Sequence, residues 1–201
     1  MLTGHQVFNG KKMFFSESGV LQISGKPSTW QKIDSAWYFY DEDGLKTVGK
    51  KNINGSTYYF NQEGVMQTGW AFVDGHWNYF ASSGAMKTGW VKDQGSWFYH
   101  QASGAQAVGW VKQGMSWFYL DEITGAMATG WLCLGSSWFY MSPEGVMTTG
   151  WVRVGGSWFF LNPDSGAMAT GWMMIRGTWY YLKPADGAMV TGWLQIGDSW
   201  Y

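Results

Sequence analysis

The residues of this chain best placed to do chemistry are aromatic, and they come in a fixed pair: a tryptophan that follows a glycine, and a second tryptophan seven residues later. Gly-Trp stands at Gly69-Trp70, Gly89-Trp90, Gly109-Trp110, Gly130-Trp131, Gly150-Trp151, Gly171-Trp172 and Gly192-Trp193, answered by Trp77, Trp97, Trp117, Trp138, Trp158, Trp179 and Trp200. Trp30 and Trp37 repeat the pair nearer the N-terminus. A methionine stands four residues before six of the anchors, at Met66, Met86, Met127, Met147, Met168 and Met189. Clustered indole and phenol faces suit two ligand types: a quaternary ammonium, attracted by the ring quadrupole, and a sugar ring, held by stacking. Sixteen tryptophans exceed what a thin repeat protein can bury, because Trp is seldom wholly interior, so a periodic row of exposed faces is expected.

Other chemistries lack material. His5, His76 and His100 fall in different repeats at unlike offsets, so no metal set and no catalytic residue is assigned. Asp41, Glu42, Asp43, Glu63, Asp121, Glu122, Glu144, Asp164 and Asp186 lie in turns and loops and read as solvated charge. The run Asp41-Glu42-Asp43-Gly44 lacks the spaced ligands of a calcium loop. The single cysteine, Cys133, excludes an intrachain disulfide and reads as a small filler in a strand. A net charge of -1, with no Lys/Arg cluster larger than a pair such as Lys50-Lys51, removes the footprint of a nucleic-acid binder. No apolar run approaches the roughly 18 residues that cross a bilayer, so no membrane insertion is expected. The opening Met1-Leu2-Thr3-Gly4-His5 lacks the apolar stretch of a signal peptide, which reads as a truncated chain, a mature form or a protein released by lysis.

The elements that must hold the aromatics follow from their period. Successive Gly-Trp anchors are 20, 20, 21, 20, 21 and 21 residues apart, the range of stacked repeats. Projected backwards, the period adds Trp30 and two degenerate anchors, Lys50 and His5; the last of ten units ends at Tyr201. Within a unit such as Trp90 to His100, two short aromatic or β-branched runs flank a polar turn with glycine, which predicts a β-hairpin. No unit has a glycine-free window of helical period, so a helix is the weaker alternative. The rest of each unit is a loop, and it takes the extra residue of the 21-residue repeats. A lone hairpin is marginal in water, so the units must stack. The expected fold is an all-β solenoid of tandem hairpins, one continuous array with divergent repeats over 1–65 and regular ones over 66–201.

The pattern of Gly-Trp, then Trp-Phe/Tyr-Tyr, then a loop closing on Gly-Ala-Met-x-Thr-Gly-Trp resembles the choline-binding repeat of surface proteins, autolysins and phage lysins of pneumococci and their relatives. The match is close over 66–201 and loose over 1–65. The resemblance implies a left-handed ββ-solenoid with a choline site between neighbouring hairpins, made of two aromatics of one, one of the next and an apolar loop residue. Carried onto this chain, it implies cages of Trp70, Trp77 and Tyr99 with Met86; Trp110, Trp117 and Tyr140 with Met127; and Trp151, Trp158 and Tyr181 with Met168. Trp90, Trp97 and Tyr119 have Gln106 at the methionine position, and Trp131, Trp138 and Phe160 with Met147 lack a hydroxyl. Trp30, Trp37 and Tyr59 have Lys46 there, an ammonium that would repel choline. The Lys50 unit, with Thr57 for the second tryptophan, and the His5 unit, with Lys12, are expected to hold no site. Trp172 and Trp179 are expected to lack a partner ring.

The resemblance further implies choline as ligand and no cofactor. It implies phosphocholine of teichoic and lipoteichoic acids as partner, a place on the outside of a bacterial cell wall, and homodimerisation through terminal hairpins as an option. Three rival readings remain. Phe8 to Phe15 and Asn54 to Phe60 also resemble the carbohydrate-binding repeats of clostridial toxins and glucan-binding proteins. The chain also fits the targeting part of a murein hydrolase, or a spacer that presents its first 65 residues.

Overall fold

The computed structural model describes residues 3–8, 11–15, 18–19, 21–22 and 28–201. The side chains of His5 and Lys12 lie outside the described residues, and with them the expectation for the first unit. Among the described residues there is no helix. Contacts divide the chain into two compact units, one of residues 1–91 and 100–106, the other of 92–99 and 107–201.

The first unit opens with a three-stranded sheet of β1 (Gly4–Phe8), β2 (Lys11–Phe15) and β3 (Leu21–Gln22). Hairpins follow: β4 (Thr29–Ile33) with β5 (Ala36–Tyr40), β6 (Gly49–Ile53) with β7 (Ser56–Phe60), and β8 (Gly69–Val73) with β9 (His76–Phe80). The division between units falls within β10 (Gly89–Asp93) and β11 (Ser96–His100). The second unit continues with β12 (Gly109–Gln113) and β13 (Ser116–Leu120), β14 (Gly130–Leu134) and β15 (Ser137–Met141), and β16 (Gly150–Val154) and β17 (Ser157–Leu161). It ends with β18 (Gly171–Ile175) and β19 (Thr178–Leu182), then the short β20 (Gln195–Ile196) and β21 (Ser199–Trp200).

Each full hairpin joins its strands through two residues. In the β6–β7 turn both Asn54 (φ 50°) and Gly55 (φ 83°) are left-handed, the conformation whose twist matches that of the flanking strands. Cross-strand partners share a face and successive residues alternate. In β14–β15 the register Trp131↔Tyr140, Cys133↔Trp138 and Leu132↔Phe139 therefore puts Trp131, Cys133, Trp138 and Tyr140 on one face, with Leu132 and Phe139 on the other. Cys133 is in a strand, as expected, but its thiol is exposed.

The interior is narrow: besides Asn78 in β9, a fully buried side chain recurs at the end of the second strand of each hairpin from β6–β7 to β18–β19. In the first unit these are Phe60, Phe80 and His100; in the second they are Leu120, Met141, Leu161 and Leu182. Loops are held by local hydrogen bonds. Asp121 accepts from the backbone N–H and hydroxyl of Thr124 and the N–H of Ile123, which together hold its carboxyl below the ordinary range. From residue 61 onward each loop is also tied by a backbone bond to the hairpin before the one it follows, such as Met147 N–H to Trp117 O at 2.8 Å.

Candidate functional site

Parity within the hairpin decides which rings meet. Trp110 lies 6.4 Å from Trp117 at 88°, and 5.2 Å from Phe139 of the following hairpin at 69°. The arrangement recurs in the second unit. Trp131 stands 6.5 Å from Trp138 and 4.8 Å from Phe159; Trp151 stands 6.4 Å from Trp158 and 4.9 Å from Tyr180. Trp172 stands 6.4 Å from Trp179 and 5.1 Å from Tyr201, so the ring that the sequence reading denied it is supplied by the last residue. In the first unit Trp30 makes the same corner with Trp37 at 6.3 Å and Tyr58 at 4.9 Å. A first tryptophan set nearly perpendicular to the second and at 66–70° to the third ring, with half-open second tryptophans, 38% exposed for Trp117 and 42% for Trp37, forms a three-sided aromatic box.

The third ring thus differs by one residue from the expected one. Tyr140, Phe160 and Tyr181 share a face with the tryptophans of their own hairpins and pack on Trp131, Trp151 and Trp172 at 5.1 Å each. Tyr119 packs likewise on Trp110, and Tyr59 stacks on Phe80. Tyr119 donates its hydroxyl to Glu122, and burial, then that carboxylate, raise its pKa above the ordinary phenol value. The signal that would have found Phe139, Phe159, Tyr180 and Tyr58 is strand alternation counted from the second tryptophan.

The methionines also shift, by one repeat. The tie from each loop to that earlier hairpin brings Met147 to Trp117, Met168 to Trp138, Met189 to Trp158 and Met127 to Trp97. In the first unit it brings Met66 to Trp37, Met86 to Thr57 and Gln106 to Trp77. Met86 therefore serves Thr57 rather than Trp77, and Gln106 takes the place expected of Met86. A cavity of about 330 Å³ is lined by Trp110, Trp117, Phe139 and Met147, with Asp164 and Ser165 on its wall. At Trp30 the apolar wall is Met66, which packs, as Trp30 and Tyr58 do, against the buried cluster of Phe39, Ile53 and Phe60. Lys46 is not in that box: its ammonium lies 4.0 Å over Tyr38, the ring on the opposite face of β5. The expected repulsion at Trp30 is replaced by a complete set of rings.

Of the remaining expected residues, Trp70 lies in the first unit against Tyr79 and His100, while Tyr99 lies in the second unit. Trp90 falls in the first unit, and Trp97 with Tyr119 in the second.

Boxes of this composition, recurring at the repeat period and built from one tryptophan, a second seven residues later and a loop methionine, match a known sequence family. A family model described as the choline-binding repeat matches residues 47–88, 87–130, 128–170 and 169–201, and one described as a putative cell wall binding repeat matches 28–45. The chain belongs to the choline-binding repeat family.

Among solved structures, it is similar to CbpJ from Streptococcus pneumoniae TIGR4, with 32% identity and a TM-score of 0.77 over 100% of this chain and 85% of that one. Choline binding protein F from Streptococcus pneumoniae has 30% identity and a TM-score of 0.77, over 90% of this chain and 70% of its own. The autolysin LytC from Streptococcus pneumoniae shares the fold at 22% identity and a TM-score of 0.56, over 99% of this chain and half of LytC. No curated protein matches the chain. The tandem-hairpin fold and the family make this a choline-binding, cell-wall-anchoring module.

Within that family pattern one junction has lost its rings. Lys50, Thr57 and Asn78 stand at the positions that Trp110, Trp117 and Phe139 hold in a ringed junction, and Lys50 is 3.3 Å from Asp74 in an ion pair. Asn78 is fully buried, donating to the carbonyls of His76 and Val73. Among the described residues no group of three His, Cys, Asp or Glu is placed to hold a metal.

Proposed function

We propose that this chain is a non-catalytic anchor that holds a protein on the outer face of a bacterial wall by binding the phosphocholine groups of teichoic and lipoteichoic acids. The observation that carries the reading is the recurrence of one box: Trp30, Trp110, Trp131 and Trp151 each meet a perpendicular second tryptophan and a third ring at closely similar distances. A trimethylammonium group set in the corner contacts all three π faces, and the loop methionine closes the wall without adding charge.

Each ring contributes roughly 0.5 to 2 kcal/mol to a desolvated cation, so one box binds choline at about millimolar. Strength on the wall comes from several boxes engaging one polymer-rich surface, where linked occupancy multiplies affinity. Neither indole nor a quaternary amine titrates, so the attraction itself does not depend on pH. The test is retention on a tertiary-amine resin: the chain is expected to bind and to elute with free choline. Retention indifferent to choline, or lysis of purified walls by this chain alone, would sink the reading.

A further inference from the structure

The second unit has another opening that none of the boxes explains. A cleft of about 490 Å³ runs between β16–β17 and β18–β19, bordered by Trp151, Phe160, Pro163, Arg176, Thr178 and Tyr180. Trp158 does not border it, so the cleft is a separate opening from the box, although Trp151 and Tyr180 belong to both. The two openings share that pair as a common wall.

Charge distinguishes the two kinds of opening. Arg176 sits in the β18–β19 turn at φ 51°, a left-handed position filled by Asn54, Asp74 and Gly155 in other hairpins, and an unfavourable one for a long side chain. It is exposed, and no carboxylate among the described residues pairs with it. The neighbouring loop sorts in the same sense: Pro163 borders this cleft, while the next residue, Asp164, borders the cation cavity at Trp110. Asp164 thus borders a place for a cation, and Arg176, exposed and without a carboxylate partner among the described residues, borders the cleft.

We propose that this cleft is a subsite for a phosphorylated sugar of the same polymer whose choline groups enter the boxes, an inference that rests on the wall-anchoring reading. The guanidinium fork bonds the phosphate oxygens in pairs. The faces of Tyr180 and Pro163 take the C–H side of the sugar, and the Thr178 hydroxyl meets one of its own. Because Trp151 and Tyr180 wall both openings, one polymer chain spans them without leaving the surface.

The test is an NMR titration of the isotope-labelled chain, with choline present, using glucose 6-phosphate and glucose as probes. Glucose 6-phosphate is expected to shift the amides of Ile175 to Tyr180 saturably, with glucose far weaker. Arg176→Asn, which installs the residue that Asn54 already is in its own turn, is expected to weaken the phosphate probe about tenfold. A flat response, equal binding by the variant, or glucose binding as tightly as its phosphate would each overturn the subsite. Choline is read separately at the Met147 and Met168 methyls. If those do not move, the anchoring reading fails, while the phosphate titration still decides the cleft.

Discussion

Two neighbouring junctions of the first unit, at Trp30 and at Lys50, share a backbone and differ in their chemistry. Both have the hairpin register, and both receive the loop tie, Met66 N–H to Trp37 O at 2.8 Å and Met86 N–H to Thr57 O at 2.7 Å. In both, the methionine packs against a left-handed glycine of the next loop, Gly84 for Met66 and Gly104 for Met86. Only the first has rings, Trp30, Trp37 and Tyr58; the second has Lys50, Thr57 and buried Asn78. The stack and the ligand box are therefore separately encoded. The stack depends on glycine seats and backbone bonds, and the box on three side chains that the fold does not require.

The largest effect that would break this account is on the seat. A Cβ at Gly104 would collide with the Met86 thioether and stand 2.8 Å from Asn78 Oδ1, at φ +87°. Gly104→Ala is expected to cost about 2–4 kcal/mol, against about 1 kcal/mol for Gly49→Ala, which meets no atom within 4 Å, as measured by urea unfolding. Equal costs would mean that the seat does not organise the stack.

Next in size is the ring test. Trp37→Leu is expected to weaken choline binding at the Met66 methyl by about 2- to 30-fold, the loss of one π face. Thr57→Val, one junction along, is expected to leave every choline response unchanged.

A smaller effect separates the units by pH. His100 occupies the buried position that Leu120, Met141 and Leu161 fill in the second unit, and its Nδ1–H donates to Gly104 O at 3.0 Å. Burial lowers its pKa below the ordinary imidazole value, the bond to Gly104 opposing this in part. The folded state therefore binds fewer protons than the unfolded one. Its stability is complete above about pH 6.5 and falls as the pH drops through the lower folded value. His100→Leu is expected to reduce the slope of the urea midpoint between about pH 7 and pH 5; an unchanged slope would place the titration elsewhere.

The smallest effect concerns the rims of two complete boxes. Asp164 borders the Trp110 cavity. Asp164→Asn is expected to weaken choline there by about two- to threefold at low salt and by less at high salt, since an exposed charge is screened. The response at Met66, beside Trp30, should not change.

Much of this was legible beforehand. The spacing of Gly-Trp and the second tryptophan placed the hairpins, and the ringless composition of the Lys50 unit marked it as different. The third rings were within reach too, because alternation from Trp138 assigns Phe139 to the opposite face from Tyr140. The partner of each methionine was not, since it depends on a main-chain bond to an earlier hairpin that leaves no trace in side-chain pattern. Lys46 illustrates the cost: counted with Trp30 it predicts repulsion, yet it lies on Tyr38, and Trp30 has Met66.

Sequence alone determined the repeat, the hairpins and the aromatic character of the sites, because period, turn glycines and strand alternation are local properties of the chain. Tertiary structure decided which side chains from different repeats share one box and that Arg176 and Trp151 border one cleft. Those contacts join residues from separate hairpins, and only the stacking of one hairpin on the next brings them together.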